Sequence, residues 1–486
     1  MNIIESSWRR LGLAMTFMAV SAFSFSQNSN GRYDALYKGL PVAVKSVTPP
    51  ATPNRQVSLT DFGATGDGIT PCTEAFAKAI SSLRKQGGGT LNIPAGIWLT
   101  GPIQLKSNIH LHLDAGAILY FSPQRSLYTD SEAGAKRVYP CIKASKCSNI
   151  SITGKGIIDG NGKMWRPVKR SKVSDVEWKR FKTMGGEERQ QGSLWYPWDK
   201  SGRNTLGNTP EEQESRRNDI IRFTNCENVL IQGVTVQNSP RFHVHPINCR
   251  NVIIEDVTVR CPWNAQNGDA IDISDCHQVL IKGCTVDAGD DGLCMKSGDT
   301  KPTNLVNGCE DILITDNTVL HAHGGFVIGS EDISGMRRIV VRDCRMSGTD
   351  TGLRFKSGIG RGGKTEDIYI SGIQMADINE EAVIFQCDYV NRAAGDKGDN
   401  TQKPAQRVKI PEFTGIHISG VTCREAKVGV SASGIEGLDC VHGIDISNSI
   451  FVYTGAATKI DTKTAEIKMT GVKFVKHDAA SATDTE

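Results

Sequence analysis

The feature that most constrains this chain is a short strand-like phrase that returns along most of its length. Apolar and polar residues alternate and run into a small or polar residue, as in CENVLIQGVTV, CRNVIIEDVTV, CHQVLIKGCTV and CEDILITDNTV. The first apolar residue of the phrase falls at Val229, Val252, Val279, Ile312, Ile339, Ile368, Ile416, Ile444 and Ile467. The intervals are 23, 27, 33, 27, 29, 48, 28 and 23 residues, irregular around a constant phrase. Constant coils joined by loops of varying length produce that record. Period-2 alternation turns the Val and Ile positions inward and leaves the outward face free for polar groups. No helical pattern separates successive phrases, so the expected fold is all-β, a right-handed parallel β-helix of about ten coils rather than a propeller or a βαβ fold.

Ahead of the repeat, Ala75, Phe76, Ala79, Ile80 and Leu83 stand at helical spacing, and Gly87 to Gly89 follow. They predict a helix over Thr73 to Lys85 that caps the open end of the solenoid and hides its strand edges. The expected division is a signal peptide over 1–26, a leader or linker over 27–56, the β-helix over 57–476 and a disordered tail over 477–486. Arg9 and Arg10, the apolar run Leu11 to Phe23 and small residues before Gln27 support the signal peptide. They predict a secreted or periplasmic protein. That run is shorter than the roughly 20 residues of a membrane span, and no stable membrane insertion is expected.

Composition enters mainly by exclusion. A formal net charge of +3 on 486 residues gives no argument for nucleic acid. Of the 14 cysteines, Cys147, Cys226, Cys249, Cys276 and Cys309 share one phase of the repeat. Equivalent positions on stacked coils coincide, so buried thiols packed in a column are expected rather than a disulfide framework. Asn228, Asn251 and Asp311 fall near turns, where turn chemistry or hydrogen-bonded stacks are their expected role. Two long insertions interrupt the repeat: 164–216, with Trp165, Trp178, Trp195 and Trp198, and 390–411. Either the tryptophans stack on a ligand at a cleft wall or the loop packs on itself.

Four motifs then follow one another on successive turns: NGD at 267–269, GDDG at 289–292, HGG at 323–325 and RFK at 354–356. Asp290 and Asp291 are sequence neighbours, and a regular strand would send one carboxylate into the core, which is costly. The bracketing Gly289 and Gly292 permit a bend that keeps both outward. Asp269 lies 21 residues earlier, about one coil away. Like charges that close raise the pKa of one member, which suits a general acid. Arg354 and Lys356 leave one face of a strand and are able to clamp an anion, Arg354 bidentately. On the residues alone, the acid pair also admits a turn or a calcium site, and the cations a solvated face.

This order of motifs resembles the polygalacturonase family, family 28 of the glycoside hydrolases, whose NTD, DD, GHG and RIK appear here as NGD, DD, AHG and RFK. Tyr389 in FQCDY matches a later family tyrosine, and the resemblance spans roughly Val57 to Phe474. Gly268, Ala322 and Phe355 depart from the pattern without removing an ionisable group. The resemblance implies hydrolysis of α-1,4 galacturonosyl linkages in pectin or oligogalacturonides, by inversion and without a metal cofactor. It implies Asp290 as general acid, with Asp269 and Asp291 activating water across a gap of about 6.5–9.5 Å, and His323 tuning the acid. Asn267, Arg354, Lys356, Tyr389, His245 and Lys296 are the expected substrate-binding residues; Asn264, Arg361 and Lys364 stand nearby. The long insertions and HGGFVIGSE look more like the bacterial exo-acting members. A rhamnogalacturonan or substituted galacturonan hydrolase, a calcium-dependent lyase and a non-catalytic polysaccharide-binding β-helix remain as rivals.

Overall fold

The computed structural model describes residues 31–128, 138–189, 191–197, 217–298, 308–389 and 410–477. The expected signal peptide, Trp198, and nearly all of the 390–411 insertion and the C-terminal tail lie outside these residues. Parallel strands stack into one 14-stranded sheet and a larger, 21-stranded set. In the 14-stranded sheet the repeat pairs in register, coil upon coil. Val229 pairs with Val252, Val252 with Val279, Val279 with Ile312 and Ile312 with Ile339. The series continues through Ile368, Ile416, Ile444 and Ile467. Every residue of this column except the partly exposed Ile467 at the last coil is buried. The recurrence read from the sequence is thus the axis of a parallel β-helix.

The cap is a helix over Thr73–Lys85, α2, which buries Ala75, Phe76, Ala79, Ile80 and Leu83 against the first coils. Turns between strands use a second column. Asn108, Asn149, Asn228 and Asn251 all adopt a left-handed backbone, φ between 54 and 63°, which Asn tolerates better than branched residues. Their amides form a ladder: Asn149 donates to Asn108 at 3.0 Å, Asn228 to Asn149 at 2.9 Å and Asn251 to Asn228 at 2.8 Å. The cysteine column packs as expected, and all 14 thiols are free and buried. Backbone N–H groups of Cys226 and Cys249 point at the next sulfur at 3.4 Å, and burial pushes the Cys309 thiol up to about 12.

One expectation changes, and one open alternative is decided. The segment expected as a linker, 27–56, is packed where it is described. Its short helix Asp34–Tyr37, α1, follows Tyr33, whose hydroxyl donates to Glu255 at 2.9 Å, and Tyr33 and Val47 cover Ile253, Leu280, Leu313 and Val340. Those four are outward residues of successive coils. The outer face here is therefore apolar rather than polar, because another stretch of chain buries it. The first insertion also folds on itself. Strands Val168–Lys169, Glu187–Arg189 and Leu194–Tyr196 pair antiparallel, and a helix over Asp175–Thr183, α3, starts at a Ser174–Glu177 capping box. Val168, Val173, Trp178 and Trp195 form its core. Trp165 is fully buried, edge-on to Tyr128 with ring centres 5.2 Å apart. Those three tryptophans are packing residues and present no stacking face. No helix of the described residues is long and apolar enough to cross a membrane.

Candidate active site

The site lies on the outward face of the second sheet, where the alternation places charged residues instead of Leu and Ile. On the strands Ile271–Ser274, Leu293–Ser297, Gly324–Asp332 and Thr351–Lys356, Asp272 pairs with Cys294, Cys294 with Val327 and Val327 with Arg354. Two residues further, Ser274 pairs with Lys296 and Gly329 with Lys356. The NGD and DDG motifs precede two of these strands, and the Ala270 N–H donates to Asp291 O at 3.0 Å, which stacks Asp269 directly against Asp291. Adjacent strands lie about 4.8 Å apart, so the carboxyls on this turn edge are electrostatic neighbours.

The glycines around the acids are required by close approach. A Cβ on Gly289 would lie 2.6 Å from the carbonyl oxygens of both Pro262 and Ala265, and one on Gly292 would lie 2.8 Å from Val319. Gly268 sits under the same turn, 2.9 Å from Ala265 Cβ and 3.1 Å from Cys261 Sγ in the same sense. The turn 262–265 thus accounts for the glycine where the family has threonine. Phe355 points into the solenoid and stacks on Phe385 at 4.5 Å, and Ala322 is buried. These two departures leave the outward surface unchanged.

The three expected acids occupy different environments. Asp269 and Asp291 are 3% and 1% exposed, whereas Asp290 is half-buried at the lip. Burial alone would raise Asp291, but Lys356 Nζ at 2.6 Å and Arg354 at 3.6 Å hold its carboxyl well below the usual range. Burial raises Asp269 well above that range, and Asp272 and Asp290 add to the effect against the pull of Lys296. Neighbouring carboxyls are thereby driven apart, one ionised and one toward its protonated form. Among the described residues nothing donates a hydrogen bond to Oδ1 of Asp269, Oδ1 of Asp291 or either oxygen of Asp272. Such buried acceptors call for water or substrate hydroxyls.

Lys296 is the cationic hub, 3.8 Å from Asp269, 3.5 Å from Asp272 and 3.6 Å from Glu331. Burial opposes its charge, yet Cys294, Asp272, Asp269 and Glu331 together hold it up. Asp269, Asp291 and Cys294 bring donor atoms within 4.8 Å of one another. Lys356 already supplies the positive charge there and burial pushes the Cys294 thiol well up. The donor set fits an ammonium group better than a metal ion.

Most of the expected binding residues join this face. Tyr389 lies 5.8 Å from the Arg354 guanidinium and 5.5 Å from Lys356 Nζ. His245, buried, bridges Asp219 at 3.1 Å and Ser274 at 3.0 Å. Asn267 accepts from Arg217 at 2.7 Å. Lys356 departs from expectation: it is 6% exposed and its ammonium faces Asp291, so the anion clamp rests on Arg354. Lys364 also departs, because it lies on a strand of the first sheet and pairs with Glu366 at 2.9 Å. His323 donates its backbone N–H to Asp290 O at 2.9 Å, while its Nε2 accepts from Lys172 at 3.0 Å.

Lys172, Arg217, Asp219, Asp272, Glu331 and Trp263 were not singled out by the sequence. Asp272 had a signal, as an acid at an outward position of the strand after NGD. Trp263 is 53% exposed on the turn packed over Gly289, and its dipeptide PW beside NGD was the clue. Lys172 had none, being 151 residues from its partner.

Paired carboxyls with pKa values driven in opposite directions, on the outward face of a parallel β-helix, define a polysaccharide-hydrolysing solenoid. Residues 170–473 match the model of Glycosyl hydrolases family 28, and the chain belongs to that family. It is 28% identical over 419 residues to a probable polygalacturonase of Vitis vinifera, covering 83% of this chain and 75% of that protein. To an exo-poly-alpha-D-galacturonosidase of Dickeya chrysanthemi it is 26% identical, covering 82% and 66%. The solved hyperthermoactive exopolygalacturonase of Thermotoga maritima superposes with a TM-score of 0.69 at 30% identity, over 88% of this chain and 94% of that one.

Proposed function

We propose that this glycoside hydrolase is an exo-acting polygalacturonase that cleaves α-1,4 galacturonosyl linkages of pectic chains with inversion. The observation that carries it is the placement of the acids, two buried side by side under cations and one at the lip. Asp291, ionised beneath Lys356 and Arg354, is the group able to take a proton from water. Asp269, stacked beside it, flanks that water. Asp290 alone stands at the lip, where a glycosidic oxygen arrives, and serves as general acid. Arg354, with Tyr389 against it, meets the uronate carboxylate, which a neutral sugar lacks. Exo-action is supported by the folded insertion, which reaches the Asp290 turn through Lys172, and by the exo-acting relatives.

Digestion of oligogalacturonides of defined length tests this reading. Release of galacturonate one unit at a time is expected; a spread of mid-length products would refute exo-action, and an unsaturated product would reassign the protein as a lyase. Inertness toward galacturonan with turnover of rhamnogalacturonan would move the substrate within the pectic class. Export is part of the same proposal, supported by the charged and apolar N-terminus; a mature N-terminus near Gln27 in the exported fraction is the result to look for.

A further inference from the structure

The insertion that folds into its own small core also delivers charge to the catalytic coil. Its 3-10 turn Arg170–Lys172 is fixed by Arg170, whose N–H donates to Ser193 O at 2.9 Å and whose guanidinium donates to Val173 O at 2.8 Å. Arg166 anchors the base of the arm, donating to Ser239 O at 2.6 Å. Lys172 is thereby held over the Asp290 turn, its ammonium 3.1 Å from Gly289 O and 3.0 Å from His323 Nε2. Neither partner of Lys172 is a carboxylate. Among the described residues no carboxylate lies within ion-pair distance of Lys172. Lys169, on the same arm, is half-buried and has its ammonium pKa lowered by burial, Lys172 and Arg217, with Asp290 acting against them. Two lysines therefore border Asp290 on the turn side, with Asp290 itself opposing Lys169 and Asp350 lying 3.9 Å from His323 Nε2. Arg354 and Lys356 lie on the strand side, Lys356 against Asp291 at 2.6 Å and Arg354 beside it at 3.6 Å.

We infer that the arm is a substrate-binding element: Lys172 takes the carboxylate of a second uronate on the turn side of Asp290, exchanging His323 Nε2 for that anion as substrate enters. The inference rests on the acidic-sugar reading above and extends it, because two sugars flank a scissile bond and each carries a carboxylate. A neutral or fully esterified chain would leave this cation bound to His323.

The test is calorimetric binding of trigalacturonate to Asp290→Asn protein with Lys172 intact, with Lys172→Ala and with Lys172→Arg, alongside its methyl ester. Lys172→Ala is expected to weaken trigalacturonate about tenfold or more, as loss of one charge-assisted contact does. Lys172→Arg should recover most of the loss, and the methyl ester should not distinguish the variants. Equal affinity for trigalacturonate in a Lys172→Ala protein of parental melting temperature would overturn the inference, as would an equal loss on the ester. An altered pH profile at unchanged affinity would overturn it too, by reducing Lys172 to a positioning residue for His323. Failure of trigalacturonate to bind or react even with Lys172 intact would instead overturn the acidic-sugar reading.

Discussion

The two outward faces of this solenoid are built on the same coils and end in opposite chemistry. On the first sheet the outward column is Ile253, Leu280, Leu313 and Val340, dry beneath Tyr33 and Val47. On the second sheet the outward positions of the same coils carry Asp272, Lys296, Arg354 and Lys356 around the catalytic carboxyls. Inward side chains are alike in both, a continuous apolar column. The inward pattern alone makes the coil, so the outward face is free to be covered or to do chemistry. Substitutions on one face should therefore cost stability and leave turnover, and the reverse should hold on the other.

The largest effect that would break this division is expected at Asp290. Asp290→Asn should reduce kcat by about 10³-fold, within the range for a lost general acid, with the melting temperature kept. Normal turnover by the folded variant would remove the acid assignment.

Lys356 sharpens the comparison, because it belongs to the catalytic face yet is buried. Lys356→Met leaves Asp291 buried without its nearest cation and should cost about 3 kcal/mol in denaturant unfolding. In the parent the Asp291 carboxyl titrates below its unfolded value. Its contribution to stability is complete above about pH 4 and is lost as pH falls through the lower folded value. With Lys356 gone that value rises, so the acid limb of kcat/KM should move to higher pH. An unmoved limb would show that Asp291 is not the base.

The covered face should answer in stability alone. Leu280→Ala, fully buried beneath the N-terminal segment, is expected to cost about 2–4 kcal/mol, with kcat per folded molecule unchanged. A loss of turnover without a fall in stability would mean that the two faces are coupled. The smallest effect is expected in the turn ladder, where Asn228→Ala removes an amide bonded to Asn149 and Asn251 and puts alanine at φ 56°. About 1–2 kcal/mol is expected from thermal unfolding, with KM unaltered.

Legibility in the sequence follows the same division. The coil column and the residues 73–85 of α2 were readable because both rest on local periodicity, of 2 in one case and 3.6 in the other. The four motifs were readable because the first three sit at the entrances of strands fixed by that periodicity and RFK ends one. The docking of the N-terminal segment was not, since nothing within 27–56 repeats. Its trace lay instead in phrases such as VLIQ and IVVR, apolar on both faces where alternation should make one face polar. The fate of Trp178 and Trp195 was undecided because a stacking surface and a small core share a composition. Lys172 and Arg217 were invisible, as each meets the site through contacts far apart in sequence. The opposite burdens of Asp269 and Asp291 also required their cationic neighbours to be placed in space.

The division rests most heavily on the claim that Asp290 and Asp291 act from opposite sides of one α-linked bond. Proton NMR of freshly cleaved oligogalacturonide reports this directly. The account predicts that each new reducing end appears first as the β-anomer and then mutarotates, while a first-formed α-anomer would contradict it.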